Sequence, residues 1–557
     1  MSTNFIYFIL FYFLIIFSTF GYGLLFNNIF KLEKYKLNYG FIGLIGIFFL
    51  IIYSYISHYF IAHGIIHNFI LIFCGIFLFF YFFKKKKINI ELKLFVLIFS
   101  FLFLGFLLFK THDDFPYYHF PYTYHLTQNS LMVGIGILNH GFRTPSSMFY
   151  LNSLFYLPIV KYYLFHMGAI LFMGFSSLSL ILSINKNLLS KKIDYIFYLR
   201  LLSLVFIFVF FYRIQEHGTD RSAMILILLL FTEFLDLRNN YQKFDEKIIK
   251  ILFILGLIIS LKAFYILYFI FLIPFIIYLY LDNKIYLFLK IFKNKFFYLL
   301  ILIFLLVVFN YFFNTGCFIY PVSQTCLFNL DWSIPLEGIN RMDLHYENWA
   351  KAGKRPGFIV SNPEEYVQGF NWVSTWMDHY FFNKVSDFIG GLTLLLIIFL
   401  ITFYSKYKTK TKNKSVLLFY ATLMILFFEW FYNHPALRYG GYSVIALSFF
   451  IPFSFILSKF KNIKNFNNKV YFVICLAVII FTGRNIDRIG NEHEFYKYQA
   501  LKNPYHRVYK KRFFRMEKKF NEYIAEFENC KVKANCFPNN NKEVKYKFNG
   551  VYVIGYK

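Results

Sequence analysis

The sequence predicts an all-α polytopic integral membrane protein of about 14 transmembrane helices, with a small α+β periplasmic module at its C-terminal end. Three observations lead to this fold class. Of the 557 residues, 58% are hydrophobic and only 16% are charged, whereas a soluble protein carries roughly 25% charged residues. Apolar runs of roughly 17–22 residues, long enough to cross a bilayer, recur from end to end. Short lysine-rich segments separate these runs.

The lysine-rich segments predict the orientation, because basic residues concentrate in cytoplasmic loops. They lie at 31–36, 84–87, 186–192, 293–295, 406–414 and 459–469, with a weaker one at 238–247. When all of them are cytoplasmic, the chain alternates through spans at 5–28, 40–58, 66–83, 92–109, 160–184, 196–213, 221–236, 248–262, 265–281, 297–313, 388–405, 415–432, 442–458 and 470–483. A single broken helix over 248–281 is the alternative, and it would reverse every later span. Because the net charge of +29 resides largely in these loops, it does not indicate nucleic-acid binding.

This orientation divides the chain into N-terminal transmembrane segments (1–90), a transmembrane core (91–483) and a periplasmic C-terminal module (484–557). The predicted external loops are 110–159, 213–220, 314–387 and 433–441. We expect a multi-pass protein of a bacterial inner membrane with both termini outside the cytoplasm. In the module, the apolar spacing of 506–527 predicts a helix, and EVKYKF and GVYVIGY predict two strands.

Two close cysteine pairs fall in predicted external segments: Cys317 with Cys326, and Cys530 with Cys536. The other two cysteines lie singly inside predicted spans. A metal site is the rival interpretation, but neither pair has the further Cys or His that four ligands require. We therefore predict two local disulfides, which an oxidising periplasm permits.

The unusual polar clusters also lie in predicted external segments. Their members are His112, Asp113, Asp114, His119, Arg143, Glu216, His217, Asp220, Arg221, Lys262, His434, Arg438 and Tyr439. Ordinary structural roles are available for each of them. An aspartate of the adjacent pair can cap a helix, a histidine among aromatic residues usually packs, and Lys262 can extend to the membrane surface.

The convergence of these groups on one side of the membrane favours a functional site. Acids and bases from several loops collect outside, whereas the predicted cytoplasmic side has only lysine-rich connectors and the spans are nearly free of charge at mid-depth. Charged groups near the membrane usually face a cavity or a partner. Transfer from a lipid-linked phosphate donor suits such a site, because a carboxylate can act as general base while Lys or Arg stabilises the departing phosphate.

The motif HDD at 112–114 resembles the acidic loop of the GT-C superfamily, the polytopic glycosyltransferases that use polyprenyl-phosphate sugars. EHGTD at 216–220 is similar to their second acidic loop, and HPALRY at 434–439 to a later external Arg–Tyr segment. The general plan of 90–557 is covered by the resemblance. One difference is that the acidic loop follows the fourth predicted span, whereas GT-C acidic loops usually follow the first.

The resemblance implies an enzyme that moves a sugar from the lipid-linked donor to a glycan, lipid or protein acceptor. Asp113 or Asp114 would be the base, Asp220 would support it or help bind the donor, and Lys262 and Arg438 would contact phosphate. Some such enzymes bind a divalent metal through the acid, so Mn²⁺ or Mg²⁺ at Asp113 and Asp114 is a further expectation.

Two other functions stay open at this point. An O-antigen polymerase or ligase-like enzyme also acts on lipid-linked sugars and would use basic residues of 314–387. A transporter or flippase for lipid-linked sugars would break no bond, and it predicts charges in mid-span and two related halves. The paired acids favour the glycosyltransferase over the polymerase, and the scarcity of mid-depth charge and the lack of an internal repeat in the sequence favour it over the transporter.

Overall fold

The structure, a computed structural model, describes residues 3–84, 90–353, 358–409, 415–504, 522, 525, 542–548 and 551–556, and most of these are helical. The α-helices are α1 (Thr3–Ile29), α2 (Tyr39–His58), α3 (Ile65–Phe83), α4 (Ile90–Phe106), α5 (Phe120–Gln128), α6 (Ser147–Ser153), α7 (Met167–Leu189), α8 (Tyr195–Phe210), α9 (Asp220–Asn239), α10 (Phe244–Leu261), α11 (Leu272–Leu281), α12 (Tyr286–Phe292), α13 (Lys295–Thr315), α14 (Leu336–Ala350), α15 (Pro363–Val367), α16 (Val373–Trp376), α17 (Ser386–Phe403), α18 (Leu417–Asn433), α19 (Tyr442–Lys459) and α20 (Phe466–Tyr496). The strands are β1 (Met132–Val133), β2 (Lys542–Phe548) and β3 (Val551–Tyr556). Each predicted span overlaps one of the helices.

Several of these helices are long and apolar enough to cross a membrane. Within the described residues, nine helical segments meet both conditions: Thr3–Ile29, Tyr39–His58, Ile65–Phe83, Tyr162–Leu189, Ala263–Leu281, Lys295–Thr315, Val373–Phe403, Leu437–Lys459 and Phe466–Tyr496. Helices α8 and α18 are apolar but shorter. The molecule is therefore a mostly helical membrane protein.

Polar residues at their first positions explain where several helices begin. The side chain of Asn38 accepts a hydrogen bond from the backbone N–H of Phe41 at the start of α2. Asp194 caps α8 and Asn294 caps α13 in the same way. Each cap satisfies one of the N–H groups that the first helical turn leaves without an intrahelical acceptor.

The path of the chain on either side of Lys262 decides between the two predicted topologies. The extended backbone of Lys262 (φ −160°, ψ 123°) ends α10, and a 3-10 helix follows at Ala263–Phe271. Lys262 forms an ion pair with Asp220 at the start of α9, whereas Asp282, just after α11, pairs with Arg238 in the last turn of α9. The segment 263–281 therefore runs back along α9. The segments 244–261 and 263–281 are therefore two separate helical segments rather than one broken helix.

The loops separate to the two ends of the helix bundle as the lysine pattern predicts. At one end, the backbone N–H of Phe109 donates to Glu492. At the other end, the backbone N–H of Tyr39 donates to Glu91, and the Arg238 guanidinium donates to the backbone oxygen of Ser415. The predicted external loops meet at the first end and the basic connectors at the second.

Four charged residues lie within helices α8, α9 and α10, each near one end of its helix, so they do not contradict the expectation of few charges at mid-depth. Arg200 on α8, Glu233 and Asp236 on α9, and Lys247 on α10 are all buried. Lys247 Nζ lies 2.7 Å from Glu233 and 2.6 Å from Asp236, and Arg200 Nη2 lies 2.7 Å from Asp236. The four charges cancel, which is how ions are tolerated away from water. We call these four residues the buried ion network.

The C-terminal strands attach to the loop that carries the acidic motif. β2 and β3 are antiparallel, and β3 pairs in parallel with β1, so Tyr552 is opposite Met132 and Val553 opposite Val133. The two predicted strands are thus confirmed. The helix predicted over 506–527 lies almost entirely outside the described residues.

The predicted disulfide between Cys317 and Cys326 is confirmed. The two cysteines face each other in an isolated antiparallel bridge directly after α13. Cys530 and Cys536 lie outside the described residues, so the second predicted disulfide stays a prediction.

Candidate active site

A π-helical turn over Phe115–His119 shapes the acidic motif. The backbone oxygen of Asp114 accepts hydrogen bonds from the N–H groups of Tyr118 (3.0 Å) and His119 (3.3 Å). This wider turn places residues five apart on the same side of the chain, and such turns are frequent at functional sites. Asp114 and His119 consequently face the same space, which a regular α-helix would not achieve.

The structure separates the two adjacent aspartates. Asp113 is exposed, whereas the Asp114 side chain is only 34% exposed. Asp114 stands at the N-terminal end of the turn, but its side chain makes no capping hydrogen bond. Its carboxylate lies 3.6 Å from Nδ1 of His112, 3.5 Å from the hydroxyl of Tyr118 and 3.8 Å from Nη1 of Arg438. The helix-cap interpretation therefore fails for Asp114.

The charges around Asp114 keep it ionised. Burial by itself would raise the pKa of Asp114, but the nearby His112 and Arg438 outweigh burial and lower it. Burial lowers the pKa of His112, and it lowers the pKa of His119 to about 3. At neutral pH the centre therefore consists of a charged carboxylate between two neutral imidazoles.

Arg438 and Lys262 reach this centre from two further segments. Arg438 lies in a π turn over Leu437–Gly441, where Gly440 has a φ of +95° that favours glycine. Its guanidinium donates to the hydroxyl of Tyr439 at 2.6 Å. Lys262 Nζ lies 2.6 Å from Asp220 and 4.6 Å from the centre of the Tyr439 ring. Tyr439 thus contacts both cations, and the structure brings together Asp114, Asp220 and these three residues as the sequence predicts.

Helix α14 adds an aromatic wall that sequence reasoning missed. The Arg438 guanidinium lies 5.9 Å from the ring of Trp349, which is partly exposed. Tyr346, one turn earlier, is influenced electrostatically by Arg143 and Tyr439. The run LHYENWA at 344–350 combines aromatic and polar residues, and it was the one available signal in the sequence.

Glu216 and His217 lie in a neighbouring cluster rather than at the centre. Glu216 is 2.8 Å from Arg488 on α20 and 3.6 Å from Arg213. Burial opposes ionisation of Glu216, but Arg488 and the other cations lower its pKa. His217 is buried, and its Nε2 donates to the backbone oxygen of Phe211 at 2.7 Å. These contacts join loop 213–220 to α20.

The remaining predicted residues differ in how they are held. Arg143 donates to the backbone oxygen of Gly136 and to the hydroxyl of Tyr320, so it joins its own loop to loop 314–387. His434 packs against the rings of Phe264 and Tyr439.

Arg221, like Arg143, lacks an acidic partner among the described residues. Its guanidinium donates to the backbone oxygen of Arg213 at 3.4 Å, and no carboxylate of the described residues lies within ion-pair distance. Burial is the largest cause that lowers the pKa of His112. Arg438 and Arg221 lower it further, whereas Asp114 raises it. Arg221 and Arg438 therefore both influence the histidine of the acidic motif.

A family model described as "Domain of unknown function (DUF8201)" matches residues 5–445. The chain belongs to this family. No curated protein and no solved structure matches it. The matched region contains Asp114, Asp220, Lys262 and Arg438, whereas α20 and strands β2 and β3 lie beyond it.

Asp114 forms a possible metal-binding group with two histidines. One ligand atom each from His112, Asp114 and His119 lies within 4.8 Å of the others. A cavity of about 20 Å³ adjoins both histidines. The sequence suggested Asp113 and Asp114 as the ligand pair, but Asp113 is not part of this group.

Proposed function

We propose that this chain is a membrane glycosyltransferase of the GT-C type. It would move a sugar from a polyprenyl-phosphate-linked donor to a glycan, lipid or protein acceptor on the periplasmic face of a bacterial inner membrane. The proposal includes 14 spans, with the loops around Asp114 and the C-terminal module in the periplasm. One observation carries it: an ionised carboxylate, Asp114, lies beside Arg438 and the Lys262–Asp220 pair at one end of an apolar helix bundle.

The chemistry follows from these side chains. An acceptor hydroxyl oxygen attacks the anomeric carbon of the donor, and the bond between that carbon and the phosphate oxygen breaks. Asp114 takes the proton of the hydroxyl as general base. Arg438 and Lys262 stabilise the negative charge that appears on the departing phosphate.

The balance of charge favours a phosphate at this place. Lys262 forms an ion pair with Asp220 at 2.6 Å, and Arg438 lies 3.8 Å from the carboxylate of Asp114. Arg221 adds a positive charge without an acidic partner among the described residues. Because Arg221 lies in the first turn of α9, the partial positive charge of that helix end acts in the same direction.

The position of the site suits a donor that stays in the membrane. Only seven residues, 107–113, separate the end of α4 from Asp114. Helix α4 carries exposed apolar side chains such as Val96 and Leu97. A lipid-borne phosphate can therefore reach the carboxylate while its chain remains beside the helices.

The test is the pair of variants Asp114→Asn and Asp113→Asn, each as the sole copy in cells whose surface glycans depend on this chain. We expect Asp114→Asn to reduce transfer about 10²- to 10⁴-fold, since it removes the base. Asp113→Asn is the matched control, because Asp113 is exposed and adjacent. Normal glycans in Asp114→Asn at normal protein abundance, or equal losses in both variants, would refute the proposal.

A lipid-linked-sugar transporter is the second candidate, and one observation favours it. The buried ion network places charges inside helices, which is what transport predicts. Its charges cancel each other, however, and they lie at the end of α9 opposite to Asp220. Reconstituted protein that moves labelled lipid-linked sugar across vesicles equally well with Asp114→Asn would favour transport.

A further inference from the structure

His119 is a buried imidazole without a hydrogen bond to any described residue. It is 7% exposed, and its ring contacts are to His112, Tyr118 and Phe149. The ring borders a small cavity, so a ligand or a water there can reach it.

The atoms that could bind an ion converge beside this ring. His112 Nδ1 lies 3.6 Å from Asp114 Oδ2, and the two rings lie 5.5 Å apart. The backbone N–H of Asp114 donates to the single lone pair of His112 Nδ1 at 3.1 Å, so a metal ion bound at this nitrogen would replace that hydrogen bond. Ligands at ordinary metal distances in a tetrahedral site stand about 3.4 Å apart. The ligand atoms of His112, Asp114 and His119 lie within 4.8 Å of one another, so side-chain movements of about 1 Å would bring them to this tetrahedral spacing.

Room for one further ligand exists next to the histidines. The cavity of about 20 Å³ is lined by His112 and His119 and by polar residues that include Thr123, Asn152 and Gln215. A cavity of this size accommodates one water molecule. Three protein ligands plus a water or substrate position are the arrangement of catalytic metal sites.

We propose that His112, Asp114 and His119 bind one divalent transition-metal ion such as Mn²⁺ or Zn²⁺. Two imidazoles and one carboxylate favour these ions over Mg²⁺ and Ca²⁺, which prefer oxygen ligands. The ligand group differs from the adjacent aspartates that the sequence suggested, because Asp113 is exposed and the turn over Phe115–His119 turns His119 inward.

The catalytic meaning of this ion rests on the proposed function, but its binding does not. A cation at the triad would use one oxygen of the Asp114 carboxylate, leave the other to accept the proton of the acceptor hydroxyl, and add to Arg438 in holding the donor phosphate. Because Arg438 lies 3.8 Å from the same carboxylate, it also repels the ion. Arg438→Gln should therefore bind the ion more tightly than the wild type while transferring less sugar.

The experiment uses the full-length protein in detergent after removal of metals with a chelator. Calorimetric titration with Zn²⁺, Mn²⁺ and Mg²⁺, with elemental analysis of the bound metal, should show one ion per chain and the weakest binding for Mg²⁺. We expect His119→Phe and Asp114→Asn to lose at least tenfold in affinity. Asp113→Asn and His140→Phe, which lie in the same loop but outside the triad, should stay within about twofold of the wild type.

Cobalt absorption spectra and thermal unfolding guard against misfolded variants. Co²⁺ should give ligand-field bands in the wild type that disappear in a folded His112→Gln variant. Failure to bind an ion stoichiometrically, equal affinity in folded triad variants, or tighter binding of Mg²⁺ would overturn the site. If the wild type binds the ion but Asp114→Asn leaves the glycans unchanged, the metal site is supported and the proposed function is refuted. If the wild type binds no ion but Asp114→Asn loses the glycans, the proposed function is supported and the metal site is refuted.

Discussion

Replacing Lys247 by methionine tests how the two helices that carry Asp220 and Lys262 are held together. Asp220 begins α9 and Lys262 directly follows α10, and they pair at the end of the bundle that bears the candidate site. Lys247 pairs with Glu233 and Asp236 at the other end. At a rise of 1.5 Å per residue, about 24 Å of helix separates Asp220 from Asp236. Ion pairs therefore join this helix hairpin at both ends.

The size of the effect follows from burial and charge. The side chains of Lys247, Glu233 and Asp236 are 8%, 5% and 12% exposed. Methionine retains most of the length of the lysine but leaves the two carboxylates with Arg200, 2.7 Å from Asp236 and 3.8 Å from Glu233, and with the more exposed Lys192, 4.0 Å from Asp236. Removing one partner of a buried pair costs about 3–5 kcal/mol. The unfolded fraction should thus rise by about two to four orders of magnitude.

Unfolding of the purified protein in detergent, followed by pulse proteolysis, measures this change. Lys243→Met is the matched control, because Lys243 is an exposed lysine just before α10. The double variant Lys247→Met with Glu233→Gln should recover much of the lost stability, since it removes the uncompensated charge. A loss below about 1 kcal/mol for Lys247→Met, or a double variant less stable than the single one, would refute this reasoning.

Two further predictions concern pH and the disulfide. Burial, with help from Lys262 and Lys351, lowers the pKa of His434 from 6.5 to about 4. As the pH falls below 6.5, the unfolded chain binds a proton at His434 before the folded chain does, and this lowers the free energy of unfolding. His434→Gln should therefore remove about 1–2 kcal/mol of the destabilisation between pH 7.5 and 5. Equal slopes of melting temperature against pH in the wild type and the variant would contradict this. The Cys317–Cys326 disulfide closes a short loop, so the double serine variant should lose about 2–3 kcal/mol, and mass spectrometry without reductant should find the linked peptides. Free thiols at both positions in protein isolated from cells would contradict the external position of loop 314–387.

The sequence by itself determined the helical membrane class and the two C-terminal strands. These features depend on properties that each segment carries locally: the length and hydropathy of an apolar run, the lysines that flank it, and the alternation of side chains in a strand. The overlap of each predicted span with a helix has the same origin.

Local sequence patterns do not predict contacts between residues that are far apart in the chain. Arg200 and Asp236, which are 36 residues apart in the chain, meet because α8 and α9 pack together. Glu216 finds Arg488 on α20, 272 residues later in the chain. Trp349 reaches Arg438 because loop 314–387 folds back over the site. No local pattern encodes these contacts, since they follow from which helices are neighbours.

The pair Asp113–Asp114 shows, within a single motif, the same difference between what the sequence predicts and what the tertiary structure decides. The sequence placed an acidic centre in this loop but could not choose between two identical neighbours. The tertiary structure decides in favour of Asp114, because a π turn directs this carboxylate and His119 inward while Asp113 faces solvent. The physical reason is that the turn is stabilised by the backbone hydrogen bonds of Asp114 and by packing against other loops, whereas composition records only that two acids are present.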